Sequence, residues 1–166
     1  MNKHDFKNID LTKPPILAAT IFGVGLMKPA PGTWGSLVAV PLALILFKAG
    51  GVIGLSLAVI CITALGFWAA QRFQEITGYH DHKSVVIDEV AGQWLVLVPT
   101  LYFWGVSALP VLLAFLLFRF FDITKIWPVS YCDQKLAGAT GVMMDDIMAG
   151  IYASLCMMGL YYAGLI

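Results

Sequence analysis

The sequence predicts an all-α, polytopic membrane helical bundle of about five spanning helices, with a short interfacial or re-entrant helix ahead of them. Three observations predict it. Hydrophobic residues make up 60% of the chain and charged residues only 12%, against roughly 45–50% and 25% in soluble domains. The apolar residues gather into long runs separated by turns and polar loops. The strongest acids fall in short clusters at or near the ends of those runs: His80-Asp81-His82, Asp88-Glu89, Arg119 to Lys125, and Asp145-Asp146. The 166 residues are read as one domain, 1–166.

Each element follows from local pattern. Residues 1–15 are polar and mixed in charge, and no small-residue cleavage site follows the first apolar stretch, so no signal peptide is expected. Residues 16–27 are too few to cross a hydrocarbon core of ~30 Å, which takes ~20 helical residues. This stretch contains Gly23 and Gly25 and ends at Lys28-Pro29, and it reads as interfacial or re-entrant. Pro29 to Thr33 breaks the chain, and Thr33 is the expected N-cap of a first helix over 34–47. A turn at Lys48 to Gly51 leads to a second helix over 52–70. A polar loop over 71–84 precedes a third helix over 88–104, and Gly105 turns the chain into a fourth over 106–121. A second polar loop is expected over 123–146, and 147–166 is a fifth apolar helix, long enough to span.

The basic residues orient this bundle. Lys3, Lys7, Lys13, Arg72, Lys83, Arg119, Lys125 and Lys135 share one side if the helices pair as two hairpins, and Lys48 stands alone on the other. The excess of Lys and Arg on cytoplasmic loops puts the N-terminus and every acid cluster in the cytoplasm and the C-terminus outside. A net charge of zero argues against a nucleic-acid partner. Cys61, Cys132 and Cys156 show no pairing or metal spacing, and Cys61 and Cys156 read as small core residues.

The clusters carry the chemistry. Asp88 and Glu89 open the third helix, where the macrodipole favours acids. Glu89, however, runs straight into an apolar helix, where an unpaired carboxylate is costly. With Asp81 nearby, these carboxylates suit a hard cation such as Mg2+. Asp145-Asp146 repeats the pattern at the expected start of the fifth helix, one Asp to face a metal and the other to support it. Arg119, Asp122 and Lys125 are spaced for one helical face. They read either as a charge ladder or as a phosphate clamp, with Arg119 a bidentate fork, Lys125 a point charge and Asp122 available to metal. His80 is a candidate general acid or base, and His82 reads as a solvated loop residue. Pro31-Gly32-Thr33-Trp34-Gly35-Ser36 offers backbone N–H groups and the hydroxyls of Thr33 and Ser36 to an anion at a helix start.

These segments together resemble the phosphatidylglycerophosphatase A family of bacterial membrane lipid phosphatases. The resemblance runs from about Gly23 to Ile151. It rests on Pro31 to Ser36, on His80 to Glu89 with Gly92 and Trp94, on Phe118 to Pro128, and on Gly138, Gly141 and Asp145 to Gly150. Ile126 stands where the family pattern leads one to expect proline, and Ala137 and Ala139 flank Gly138 where more glycine is expected. Both departures touch loop shape and neither removes a charge.

The resemblance implies Mg2+-dependent hydrolysis of phosphatidylglycerophosphate to phosphatidylglycerol and phosphate, in the bacterial cytoplasmic (inner) membrane. On that reading Asp81, Asp88, Glu89, Asp122, Asp145 and Asp146 supply the metal ligands. Thr33, Ser36, Arg119 and Lys125 bind the phosphate. His80, Asp81, Asp88, Glu89 and Asp146 form the catalytic group, with His80 moving a proton. Direct attack by water is expected, since no familiar nucleophile motif is present, and the lipid enters sideways past Trp34, Trp94 and Trp127 at interface depth. The rival classes are weaker. An ion or substrate transporter predicts mid-span acids and internal repeats, and a CDP-alcohol phosphotransferase needs an Asp-Gly-x-x-Ala-Arg series that does not occur.

Overall fold

A computed structural model describes residues 9–79 and 82–166. Among these residues all regular structure is helical: α1 (Pro14–Ala19), one 3-10 turn (Val24–Leu26), α2 (Pro31–Thr77), α3 (Ile87–Trp104), α4 (Ala108–Thr124), α5 (Val129–Lys135) and α6 (Gly138–Tyr162). Two of these, α2 and α6, are long and apolar enough to cross a membrane.

The α2 segment is bent back on itself at Gly51, whose backbone (φ 61, ψ −158) is non-helical. A straight helix would place Gly35 and Gly66 about 46 Å apart, at about 1.5 Å per residue. Yet Gly35 packs on Val86 and Gly66 on Ile87, which are neighbours in the chain. The two arms, 31–50 and 52–77, therefore run antiparallel and return to the same end. Gly105 repeats this backbone (φ 61, ψ −154) between α3 and α4. These are the two tight turns expected at Lys48–Gly51 and at Gly105.

α3 is the central helix, buried from Ile87 to Leu101 against both arms of α2, α4 and α6. One core cluster joins Ala39 and Ala43 to Leu97, Phe118 and Met157. A second joins Ile16 and Ala19 of α1 to Ala69, Phe73, Ile87 and Met143. α3 and α6 cross closely at Gly92 and Gly150, where a methyl on Gly150 would lie 2.7 Å from the Gly92 carbonyl oxygen. Small residues of this kind let helix backbones touch. The outer surface carries Leu37, Ile45, Ile53, Leu57 and Ile60, 48–76% exposed. So wide an apolar surface suits lipid better than water.

Several local expectations change. The N-cap of α2 is Ala30, with Pro31 at the first helical position, so Thr33 sits inside the first turn. Proline belongs there because its missing N–H would have had no intrahelical partner. The 123–146 segment is largely helical: it holds the end of α4, all of α5 and the first two turns of α6. Asp145 and Asp146 thus lie inside α6 rather than at its start. Hydropathy treats an acid pair as the end of an apolar run, whereas here both side chains turn into the bundle and the helix continues. The second arm of α2 likewise extends to Thr77, past the expected end at 70. Trp94 is buried, its Nε1 donating to the Ala39 carbonyl at 2.8 Å, and so lies inside the bundle rather than at the interface. Cys61 is exposed and Cys156 half-buried, so neither is a core residue.

Candidate active site

The helix ends that meet at the Ile87 end of α3 enclose a cleft of about 620 Å³. Pro31, Gly32 and Thr33 form one wall, the 82–85 segment with Asp88 and Glu89 another, and α4 with α6 close it through Arg119, Asp122, Lys125, Asp145 and Asp146. Four sequence clusters separated by up to 115 residues in the chain thereby share one pocket.

The acids divide into two groups. Asp88, Glu89 and Asp146 each offer an oxygen within 4.8 Å of the others. Asp88 and Glu89 sit in the first turn of α3, and Asp146 reaches them because Gly92 lets α6 approach: a methyl there would lie 2.6 Å from the Asp146 carbonyl oxygen. Among the described residues none of the three forms a salt bridge. Glu89 Oε2 and Asp146 Oδ1 are buried without a hydrogen-bond partner, an arrangement that costs roughly 1–3 kcal/mol per group, more if charged. Two orphaned oxygens beside a third carboxylate fit a hard divalent cation. A Mg2+ with ligands at about 2.1 Å would hold adjacent ones ~3.0 Å and opposite ones ~4.2 Å apart, so the three side chains would draw together to take one.

Asp122 and Asp145 are occupied differently. Arg119 Nη1 lies 2.6 Å from Asp122 Oδ2, and Lys125 Nζ lies 2.8 Å from Asp145 Oδ2. The Arg119–Asp122 pair is the helical i, i+3 neighbour read from the sequence. Lys125 departs from it. It caps α4 in a left-handed conformation (φ 46), so its side chain leaves the α4 face and meets α6 instead.

Arg119 is held further by Ser36, whose hydroxyl accepts from Nη1 at 3.3 Å and donates to the Gly32 carbonyl at 3.0 Å. Ser36 is fully buried behind the cleft, whereas Thr33 lines it directly. Gly32 allows this close packing, since a methyl there would overlap Glu89 Oε1 and lie 3.4 Å from Arg119 Nη1.

His80 and Asp81 lie outside the described residues. His82 is a half-buried loop residue that lines the cleft, its Nδ1 2.5 Å from the Ser84 hydroxyl. Lys83 lines the cleft as well and was not singled out by its sequence context. Gln93 also escaped notice. It is fully buried one turn beyond Glu89 on α3, with neither amide atom hydrogen-bonded. A single polar residue in an apolar run gives no signal of its own. Cys132 is a poor nucleophile, because burial and then the Asp145 carboxylate push its thiol up.

Such a pocket can neutralise a dianionic phosphate through Arg119 and Lys125 while holding a cation against it. The family model described as PgpA: Phosphatidylglycerophosphatase A matches residues 17–161. A phosphatidylglycerophosphatase A of Haemophilus influenzae is 43% identical over 159 residues, covering 94% of this chain and 94% of that protein. One from Escherichia coli is 35% identical over 149 residues, covering 88% of this chain and 83% of the relative. A Bacteroides thetaiotaomicron protein named, provisionally, a phosphatidylinositol-3-phosphatase is 36% identical over 153 residues, covering 84% and 88%. No solved structure matches.

Proposed function

The chain belongs to the phosphatidylglycerophosphatase A family, and from that premise we propose that it removes the terminal phosphate of phosphatidylglycerophosphate with the help of Mg2+. The observation that carries this reading is the meeting of Asp88, Glu89 and Asp146 beneath two ion-paired cations in one cleft.

Asp88, Glu89 and Asp146 would hold the metal, and the sequence pattern adds Asp81, Asp122 and Asp145 as further ligands. When bound, the ion supplies Lewis-acid polarisation of the phosphoryl oxygens and lowers the pKa of a coordinated water. Arg119 forks two phosphoryl oxygens, and Ser36 fixes the direction of that fork. Lys125 adds a point charge, and Thr33 donates from the first turn of α2. A water oxygen bonds to phosphorus as the bond from phosphorus to the glycerol oxygen breaks, and the proton shed by the water ends on the leaving glycerol oxygen. His80 shuttles that proton. Donors held in advance around the phosphoryl group are where phosphoryl transfer gains most of its rate.

The bundle sits in the bacterial cytoplasmic membrane, with about five crossings once the two arms of α2 are counted separately. α3 and α4 are short for a ~30 Å core and cross it tilted or with local thinning. The cleft opens to the cytoplasm.

The test is phosphate release by purified protein from phosphatidylglycerophosphate in Mg2+ or EDTA. Asp88→Asn, Glu89→Gln and Asp146→Asn should each lower release at least about a hundredfold at equal protein. Near-normal activity in all three would end the metal assignment. A second reading, action on another lipid phosphate, is favoured by the name of the Bacteroides relative. Competition between phosphatidylglycerophosphate and phosphatidylinositol 3-phosphate in the same assay separates the two.

A further inference from the structure

Ahead of α2 the chain makes a turn that the chemistry above does not use. Ile21 (φ 46), Phe22 (φ 54) and Gly23 (φ 90) are three consecutive left-handed residues. For a β-branched residue such a backbone is a true outlier, and it persists only where the surroundings over-determine it. Here they do. Phe22 N donates to the Leu17 carbonyl at 2.8 Å and Gly25 N to the Thr20 carbonyl at 3.0 Å. Gly23 N donates to the Thr20 hydroxyl at 3.1 Å. The effect of this scaffolding is to push one large apolar side chain outward: Phe22 is 79% exposed.

The base of the same segment grips the cleft. Val86 N donates to the Ala19 carbonyl at 2.9 Å, immediately before α3. Gly25 lies so close to Ser84 that a methyl would overlap the Ser84 carbonyl oxygen. Thus the segment that displays Phe22 also holds the loop that delivers His82, Lys83, Asp88 and Glu89.

We propose that the 21–23 turn is an anchor for the surface of a phospholipid bilayer carrying anionic lipid. Phe22 inserts among the acyl chains and steadies, through Ala19 and Gly25, the loop entering α3. The occupant is identified by composition as well as exposure. Residues 10–30 contain Lys13 and Lys28 against a single acid, Asp10. Leu11, whose Cδ1 would lie 3.4 Å from a methyl on Gly23, and Met27 extend the apolar patch at 37% and 43% exposure. Basic and aromatic residues on one short segment match an anionic headgroup layer over hydrocarbon.

The inference rests on the membrane placement proposed above, and its test separates the two. Phe22→Cys, Ile60→Cys and Glu75→Cys, each with Cys61, Cys132 and Cys156 replaced by Ala, are spin-labelled in vesicles of neutral lipid with and without anionic lipid. Position 60 reports the outer face of α2, where Ile60 is 65% exposed. Position 75 reports an exposed polar site. The label at 22 should collide with oxygen more than with an aqueous nickel chelate, as at 60, and more so with anionic lipid. Behaviour like position 75 overturns the anchor. Shielding from both relaxants shows that a protein surface covers the turn and also overturns it. An aqueous signal at 60 as well overturns the membrane placement, and the anchor with it.

A second arm reads function. Phe22→Ser should slow hydrolysis of vesicle-borne lipid phosphate about tenfold. It should leave a soluble short-chain phosphate ester within about twofold, and Phe22→Leu should restore most of the loss. Equal losses on both substrates would show a general folding role and overturn the proposal.

Discussion

At Gly32 the backbone of α2 passes so close to Glu89 and Arg119 that a single methyl group has no room. The atom it would strike is the end of a flexible side chain, so Gly32→Ala should fold and yet displace the carboxylate. Turnover should fall about tenfold or more, because a shift of ~1 Å at a reacting group can cost ~100-fold, and the melting temperature should stay near that of the parent. Arg119→Lys keeps the charge but loses the fork and the contact with Ser36. Its KM for the lipid phosphate should rise about tenfold, a loss of ~1.4 kcal/mol, measured by initial rates across substrate concentration. Helical spacing predicts the Arg119–Asp122 pair but not the partner of Lys125. Lys125 was expected on the face of Asp122 and instead bonds Asp145, because the left-handed backbone at 125 turns it away from α4.

Elements obey simpler rules, and the turns were legible for that reason. Gly51 and Gly105 both adopt positive φ where apolar runs reverse, and glycine is the residue that does so without strain. Gly51→Ala should destabilise the α2 hairpin by about 1–3 kcal/mol from backbone strain. Its neighbour Gly50, helical and open, should accept alanine without loss. The close crossing of α3 and α6 was not legible, since nothing marks Gly150 as facing Gly92. Gly150→Val should cost about 1–3 kcal/mol by forcing the helices apart, whereas Gly159→Ala, with nothing within 4 Å, should be neutral or slightly stabilising. Thermal unfolding in detergent reads each of these.

For the whole molecule the two ends differ in kind. The cleft end gathers the acids and most of the basic residues, while the other end carries Lys48 and an aromatic group. There Phe103 stacks on Tyr161 at 4.2 Å, and Trp104 Nε1 donates to the Ile166 carbonyl at 3.0 Å. Along α3, Glu89 and Trp104 lie about 22 Å apart, less than the ~30 Å hydrocarbon core. With those aromatics at one interface, the acids would lie about 8 Å inside the other, within reach of a lipid headgroup that stays in its membrane. Two outcomes follow. Glu75→Cys should react with an impermeant maleimide only after cell lysis, and Ala49→Cys should react in intact cells, which fixes the cleft in the cytoplasm. Mg2+ at a hundred times its Kd should stabilise the parent by about 2.7 kcal/mol, read as a raised melting temperature, and leave Asp146→Asn unmoved.

Composition and run length by themselves determined an all-helical, lipid-compatible chain, and the motif series determined its family. Both are sums over local properties that survive in one dimension. The division of labour among the acids was decided only by tertiary structure. Asp122 and Asp145 are matched to cations, while Asp88, Glu89 and Asp146 are left together, because helix crossings at glycine set which side chains from distant segments meet. The same holds for the place of Asp145-Asp146 inside α6: hydropathy sees two charges as a break, but a helix continues through them when they face a shared polar cleft.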